Sequence, residues 1–168
     1  MMTDQSGALF SPCGKYRYRL WRRWDFSLAR ACWIMLNPST AGATADDATI
    51  RKCIGFTKRL GYGGIEVVNL FAYRATKPAD MKRAADPIGP SNDAAIKNAA
   101  GGVNLGGGVV ICAWGTHAGK SGRDLRVLDI LEKIGVDPWV LGKLNKGGTP
   151  PHPLMLPYDT QLQEWVID

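Results

Sequence analysis

The chain alternates between short apolar runs of strand length and stretches whose apolar residues recur at helical spacing. From Tyr16 onward, Tyr16, Tyr18 and Leu20 alternate with Arg17, Arg19, Trp21 and Arg23. This is the period of two expected of a half-buried strand. Residues 30–36 then form a continuous apolar run that ends at Asn37-Pro38. Such a run suits a strand covered on both faces. Proline ends it, because it has no N–H to give to a ladder and holds the preceding residue extended. A turn at residues 25–27 predicts an antiparallel hairpin between these two strands. Asp46 or Asp47 can cap the helix that follows, in which Ile50, Cys53, Ile54, Thr57 and Leu60 share one face and Gly61 marks the end. One aspartate caps, so the other is spare for chemistry.

The same grammar repeats further on. Residues 65–70 read as a second buried strand ending at Asn69, and residues 78–85 as a short helix. Ser91 or Asn92 caps another helix reaching about residue 100. Glycine-rich residues 101–108 read as a connector, because they precede a strand and match neither a dinucleotide nor a nucleotide phosphate loop. Residues 109–114 form the third strand, closing at Trp114-Gly115-Thr116-His117. A helix opened by Gly122-Arg123-Asp124 follows, then a fourth strand at residues 138–141 and a tail that holds His152 between prolines. Strands alternating with helices predict a three-layer α/β/α domain. Its expected centre is a mainly parallel four-stranded sheet, with the N-terminal antiparallel hairpin added. One domain spans residues 1–168, with residues 1–14 a loose lead-in.

That pattern places Asn37, Asn69, Trp114-Gly115 and His152 at one sheet edge, the carboxyl ends of the strands, where open α/β sheets hold ligands. An asparagine at the end of an apolar strand either binds loop backbone or reads a planar heterocycle offering a donor beside an acceptor. A histidine between prolines is held in place, and both readings, loop hydrogen bonding and function, are open for it.

The 168 residues, 45% hydrophobic and 21% charged, are ordinary for one globular domain. No apolar run approaches the roughly 20 residues of a membrane helix, and the N-terminus has no secretory pattern, so a cytoplasmic location and no membrane partner are expected. The net charge of +6 and pI near 9.3 favour polyanionic partners. The arginines interleaved with Trp21 and Trp24 either track a phosphate backbone or form the charged face of an edge strand. Cys13, Cys32, Cys53 and Cys112 include no paired CxxC spacing, so buried reduced thiols are expected rather than a metal or cofactor site.

The order of these motifs resembles known proteins. Leu36-Asn37-Pro38-Ser39-Thr40, Asn69-Leu70-Phe71-Ala72, Ala113-Trp114-Gly115 and His152-Pro153-Leu154 are similar to an uncharacterised bacterial and phage family, domain of unknown function 1643, over most of residues 16–165. More distantly, the same order resembles the uracil-DNA glycosylase superfamily. That resemblance implies a uracil-DNA-glycosylase-like fold and hydrolysis of the N-glycosidic bond of a damaged or modified base flipped from DNA, with no cofactor and no metal. It implies that Asn37 binds the attacking water, Asn69 reads the base edge, His152 stabilises the departing base and Leu154 wedges into the duplex. Asp47, with Asn37, would orient the water from the other side.

The candidates are thus Asn37, His152 and Asp47 for catalysis. Pro38, Ser39, Thr40, Asn69, Phe71, Arg74, Trp114, Gly115 and Leu154 are candidates for substrate contact, and Arg17, Arg19, Arg23, His117 and Lys120 for nucleic-acid contact. The departures are that position 37 is not aspartate, that Ser39-Thr40 follow Pro38, and that Leu154-Met155 follow His152-Pro153. They leave the substrate open. Two alternatives stand beside the glycosylase: an enzyme of free nucleosides or nucleotides, and a catalytically silent nucleic-acid-binding module. A monomer is the default.

Overall fold

A computed structural model of the chain describes residues 5–167. It is a mixed α/β fold built on one seven-stranded sheet. The strands are β1 (Gln5–Phe10), β2 (Arg17–Arg23), β3 (Ala31–Met35), β4 (Gly64–Asn69), β5 (Val109–Cys112), β6 (Pro138–Leu141) and β7 (Leu162–Glu164), in the spatial order β1-β2-β4-β3-β5-β6-β7. The neighbours β4, β3, β5 and β6 are parallel, and they are the four strands expected from the apolar runs. Antiparallel strands extend both edges. The helices are α1 (Ala48–Arg59), α2 (Pro78–Lys82), α3 (Asn92–Leu105) and α4 (Arg123–Lys133).

Alternation along β3 divides the core. Ala31, Trp33 and Met35 pack with Ile50, Cys53 and Phe56 of α1, whereas Cys32 and Ile34 pack with residues of α3 and α4. Trp33 is fully buried and its Nε1 donates to Thr57 Oγ1 at 3.0 Å; Thr57 donates in turn to Cys53 O at 2.7 Å. This chain fixes α1 against the sheet without leaving the indole N–H unpaired.

Four expectations need correction. The hairpin does not join β2 to β3, because β4 lies between them. The chain leaving β2 crosses the start of β4 at Gly63, whose oxygen accepts from Trp24 N and Asp25 N and whose N–H donates to Ala29 O. A Cβ there would lie 2.0 Å from Asp25 O, so only glycine permits the crossing. The lead-in is not loose where it is described, since β1 pairs with β2 along its length; residues 1–4 lie outside the described residues. Residues 101–105 are not connector but the end of α3, where Gly101 comes near Ile134 beyond α4. Tertiary packing overrides glycine's poor helix propensity there. Finally, neither Ser91 nor Asn92 caps α3 through its side chain. Asn92 Nδ2 instead donates to the carbonyls of Asn69 (2.9 Å) and Leu70 (3.1 Å), holding the end of β4.

The arginine stripe of β2 is divided by the sheet. Arg19 makes two hydrogen bonds to the buried Glu66, at 2.8 and 3.2 Å, and Arg30 approaches the same carboxylate at 2.8 Å. Replacing Arg19 with methionine leaves one buried Glu66 oxygen unpaired. It is expected to lower stability by about 1 kcal/mol in urea unfolding, with Arg30 still paired to the other oxygen.

Candidate functional site

A cavity of about 780 Å³ opens at the carboxyl ends of β3, β4 and β5 and is also lined by the first turn of α1 and the loop around His152. Its size is that of a small-ligand pocket. The parallel strands bring the chain to this edge three times, and each exit carries a polar residue.

Asn37 follows β3. Its Nδ2 donates to Ala75 O at 2.9 Å and Pro38 O at 3.1 Å, so both carbonyls fix the amide orientation. The group left for a ligand is Oδ1, an acceptor. Asn69 ends β4 and is 2% exposed. Its backbone oxygen is taken by Asn92, while its side-chain amide has no hydrogen bond among the described residues. Arg123 Nε also donates to Leu70 O at 2.6 Å, so the peptide carrying Asn69 is held from two sides.

Asp47 is the N-cap of α1, accepting from Ile50 N at 2.9 Å, and it lines the cavity. Asp46, the other aspartate that could have capped or been spare, is instead paired with the buried Arg22 at 2.8 Å. The capping residue and the cavity residue are the same one.

His152 precedes a short 3-10 turn (Pro153–Met155) and caps it: Nδ1 accepts from Leu154 N at 3.2 Å. That bond places the proton of the neutral ring on Nε2, leaving an N–H donor available to the cavity. Burial lowers the pKa of His152 below its ordinary value of 6.5, with Asp47 acting weakly in the opposite sense. The unfolded chain takes up this proton near pH 6.5 and the folded chain resists it. The stability associated with neutral His152 is therefore complete above pH 6.5 and is lost as pH falls toward the lower folded value. Melting temperatures between pH 5 and 8 should show a larger acid loss for the native chain than for His152→Asn, which keeps the cap and does not titrate.

Gly115 ties this loop to β5. Its N–H donates to Pro150 O at 3.0 Å, its φ is +75°, and a Cβ would stand 3.4 Å from His152 Cβ. Trp114 is buried and packs against Trp165 with ring centroids 5.7 Å apart and the planes tilted by 56°, and it also contributes to the cavity wall. Ser39 and His117 line the cavity as well, His117 as an exposed residue. Leu154, 40% exposed, lines it too, as does the neighbouring Met155, 89% exposed, so two exposed apolar side chains border the cavity.

Other candidates lie elsewhere. Phe71 belongs to the core on the α3 and α4 side, and Pro38 and Thr40 are not on the cavity wall. Arg74 donates to Gly14 O and Thr40 O and stacks on Phe10, so it fastens two loops together. Among the nucleic-acid candidates, Arg19 is held by Glu66, Arg23 donates to the carbonyls of Phe26 and Leu28, and Lys120 is exposed away from the wall.

Arg17 is displaced from its expected stripe. The β1–β2 register shifts between Leu9 and Phe10, where Leu9 faces Arg19 but Phe10 faces Arg17. This bulge at Tyr18 reverses the alternation and puts Arg17 on the cavity wall with Met35, Val67 and Asn69. The alternation of β2 carries no mark of the bulge. Thr76 and Thr116, which follow the ends of β4 and β5, also line the cavity, as do Thr49 and Asn145, to which no motif pointed.

The cysteines are free, with Cys32, Cys53 and Cys112 buried and Cys13 exposed. Among the described residues no three metal-ligating side chains converge, and no helix is long and apolar enough to cross a membrane. No curated protein and no solved structure matches the chain. The family model described as a protein of unknown function (DUF1643) matches residues 17–154, which include β2 through His152 and Leu154. The chain belongs to that family.

Proposed function

We propose that the chain hydrolyses the N-glycosidic bond of a damaged or modified base flipped from DNA, on a three-layer fold of the uracil-DNA glycosylase type. The observation that supports this most is the complementary set of groups on one wall: an acceptor at Asn37, an open amide at Asn69, a carboxylate at Asp47 and a neutral donor at His152.

In this reading Asn69 receives the edge of the flipped base. Asn37 Oδ1 and the Asp47 carboxylate accept hydrogen bonds from a water on the far side of the sugar. As the bond from the sugar to the base nitrogen breaks, its electron pair stays on the base, and His152 Nε2–H donates to the oxygen where that charge collects. Water then adds to the sugar carbon and gives its proton to solvent or to Asp47. A donor placed where charge develops contributes about 3 kcal/mol to the rate. Leu154 and Met155, at the mouth, suit the space left by a flipped base.

The test is release of base from a panel of oligonucleotides carrying uracil, hypoxanthine and oxidised, alkylated or hypermodified bases, in single and double strands. Release of one base by the native chain and its loss in Asn37→Ala supports the reading. No release from any substrate overturns it. Asn69→Ala should weaken discrimination between the released base and its competitors by about 1–3 kcal/mol, as expected for losing a bidentate base contact.

A second reading, an enzyme of free nucleosides or nucleotides, is favoured by one observation. Arg19 and Arg23 are occupied by protein partners, which weakens the case for a cationic track along a DNA strand. Steep salt dependence of DNA binding would favour the polymer; its absence would favour the small substrate.

A further inference from the structure

Three arginines are buried in the described part of the chain: Arg17, Arg22 and Arg123, at 3%, 5% and 4% exposure. Two have carboxylate partners, Arg22 with Asp46 and Arg123 with Asp93. Arg17 has none among the described residues, and its Nε is buried with no hydrogen-bond acceptor. Burying an unpaired cation is costly, and a fold keeps one where a ligand supplies the missing charge. The wall it belongs to is the wall of the cavity.

A second donor set lies on the same wall. Residues Asp47, Ala48, Thr49 and Ile50, the cap and first turn of the 12-residue α1, line the cavity. Asp47 takes the N–H of Ile50. The N–H groups of Ala48 and Thr49 lie in the first turn, where a helix has no acceptors of its own and carries its positive dipole end. Asp47 offsets part of this field but lies beyond ion-pair distance of Arg17. The Arg17 guanidinium fork, the first-turn residues Ala48 and Thr49 and the Thr49 side chain thus line one cavity. That arrangement suits the tetrahedral oxygens of a phosphate better than a planar carboxylate.

We propose that Arg17 and the first turn of α1 form a phosphate subsite, so that the cavity takes a nucleoside monophosphate unit. The inference rests on the cavity being the substrate site and extends that reading by naming what the substrate carries. The phosphate belongs either to a free nucleotide or to a nucleotide within a strand.

The test reads binding rather than base release, so it stands or falls separately from the glycosidic chemistry. Inorganic phosphate should raise the melting temperature of the native chain, saturably, above a chloride control of equal ionic strength. Arg17→Gln should weaken the apparent phosphate affinity by at least about tenfold, while Arg17→Lys, which keeps the charge, should retain part of the response. No phosphate-specific stabilisation of the native chain, or an undiminished one in Arg17→Gln, overturns the proposal. A set of deoxynucleoside 5′-monophosphates and a short oligonucleotide then separate the sources. Stabilisation beyond that of phosphate by the mononucleotides assigns a free nucleotide, and by the oligonucleotide a nucleotide in a strand. If neither exceeds inorganic phosphate, the nucleotide assignment is overturned.

Discussion

Alanine at His152 is expected to lower the rate of base release by about two to three orders of magnitude, with Asn37→Ala in the same range. Each removes a group that acts in the transition state: the donor to the departing base, or the acceptor that holds the water. Because both act on one event, the double variant should fall well short of the product of the two losses. His152 also caps the 3-10 turn, so alanine alone does not separate chemistry from positioning. His152→Asn does, since asparagine can accept from Leu154 N but does not reach as far into the cavity. Single-turnover release as slow for asparagine as for alanine, with the melting temperature of the asparagine variant unchanged at neutral pH, assigns the loss to the donor. Recovery with asparagine would mean that His152 only shapes the turn. The pH profile adds an independent reading. With Nδ1 accepting from the backbone, Nε2 carries its proton in the neutral ring, so the rate should hold steady from about pH 7 to 9. A steady fall across that interval would point to a cationic histidine and overturn the neutral-donor assignment.

Methionine at Arg17 is expected to stabilise the ligand-free chain by about 2 kcal/mol, because it keeps the buried stem and removes an unpaired charge. For a chain of this length the melting temperature should rise by about 4–8 °C. Burial already pushes the Arg17 guanidinium down to about 10, with Asp47 opposing that shift, yet it remains cationic at neutral pH. A gain in stability together with lost phosphate binding would mark Arg17 as a residue whose native charge is of use only when a ligand is bound. A loss of stability would mean that Arg17 has a structural partner within the fold. Thermal and urea unfolding of the native chain and Arg17→Met, each without phosphate, decide between these outcomes.

The four parallel strands, α1, α4 and the polar exits at Asn37, Asn69 and Gly115 were readable because local rules set them. Apolar runs of strand length, helical spacing, a proline stop and a capping aspartate act over a few residues. The crossing at Gly63 was not readable, since nothing in an alternating run says which strand will lie beside it. Nor was the role of Asn92, whose side chain left the helix cap to bind the end of β4, 23 residues away in sequence.

The candidate site divides in the same way. The sequence by itself determined that polar residues would follow buried strands and that a histidine would be held between prolines, because strand ends and proline geometry are local. Tertiary structure alone decided which charges remain unpaired. Asp46 met Arg22, Arg19 met Glu66, and Arg17 was turned inward by a bulge visible only in the pairing of β1 with β2. Pairing and desolvation depend on what a side chain meets across the fold, and these distant contacts are what left Arg17 charged, buried and facing the cavity.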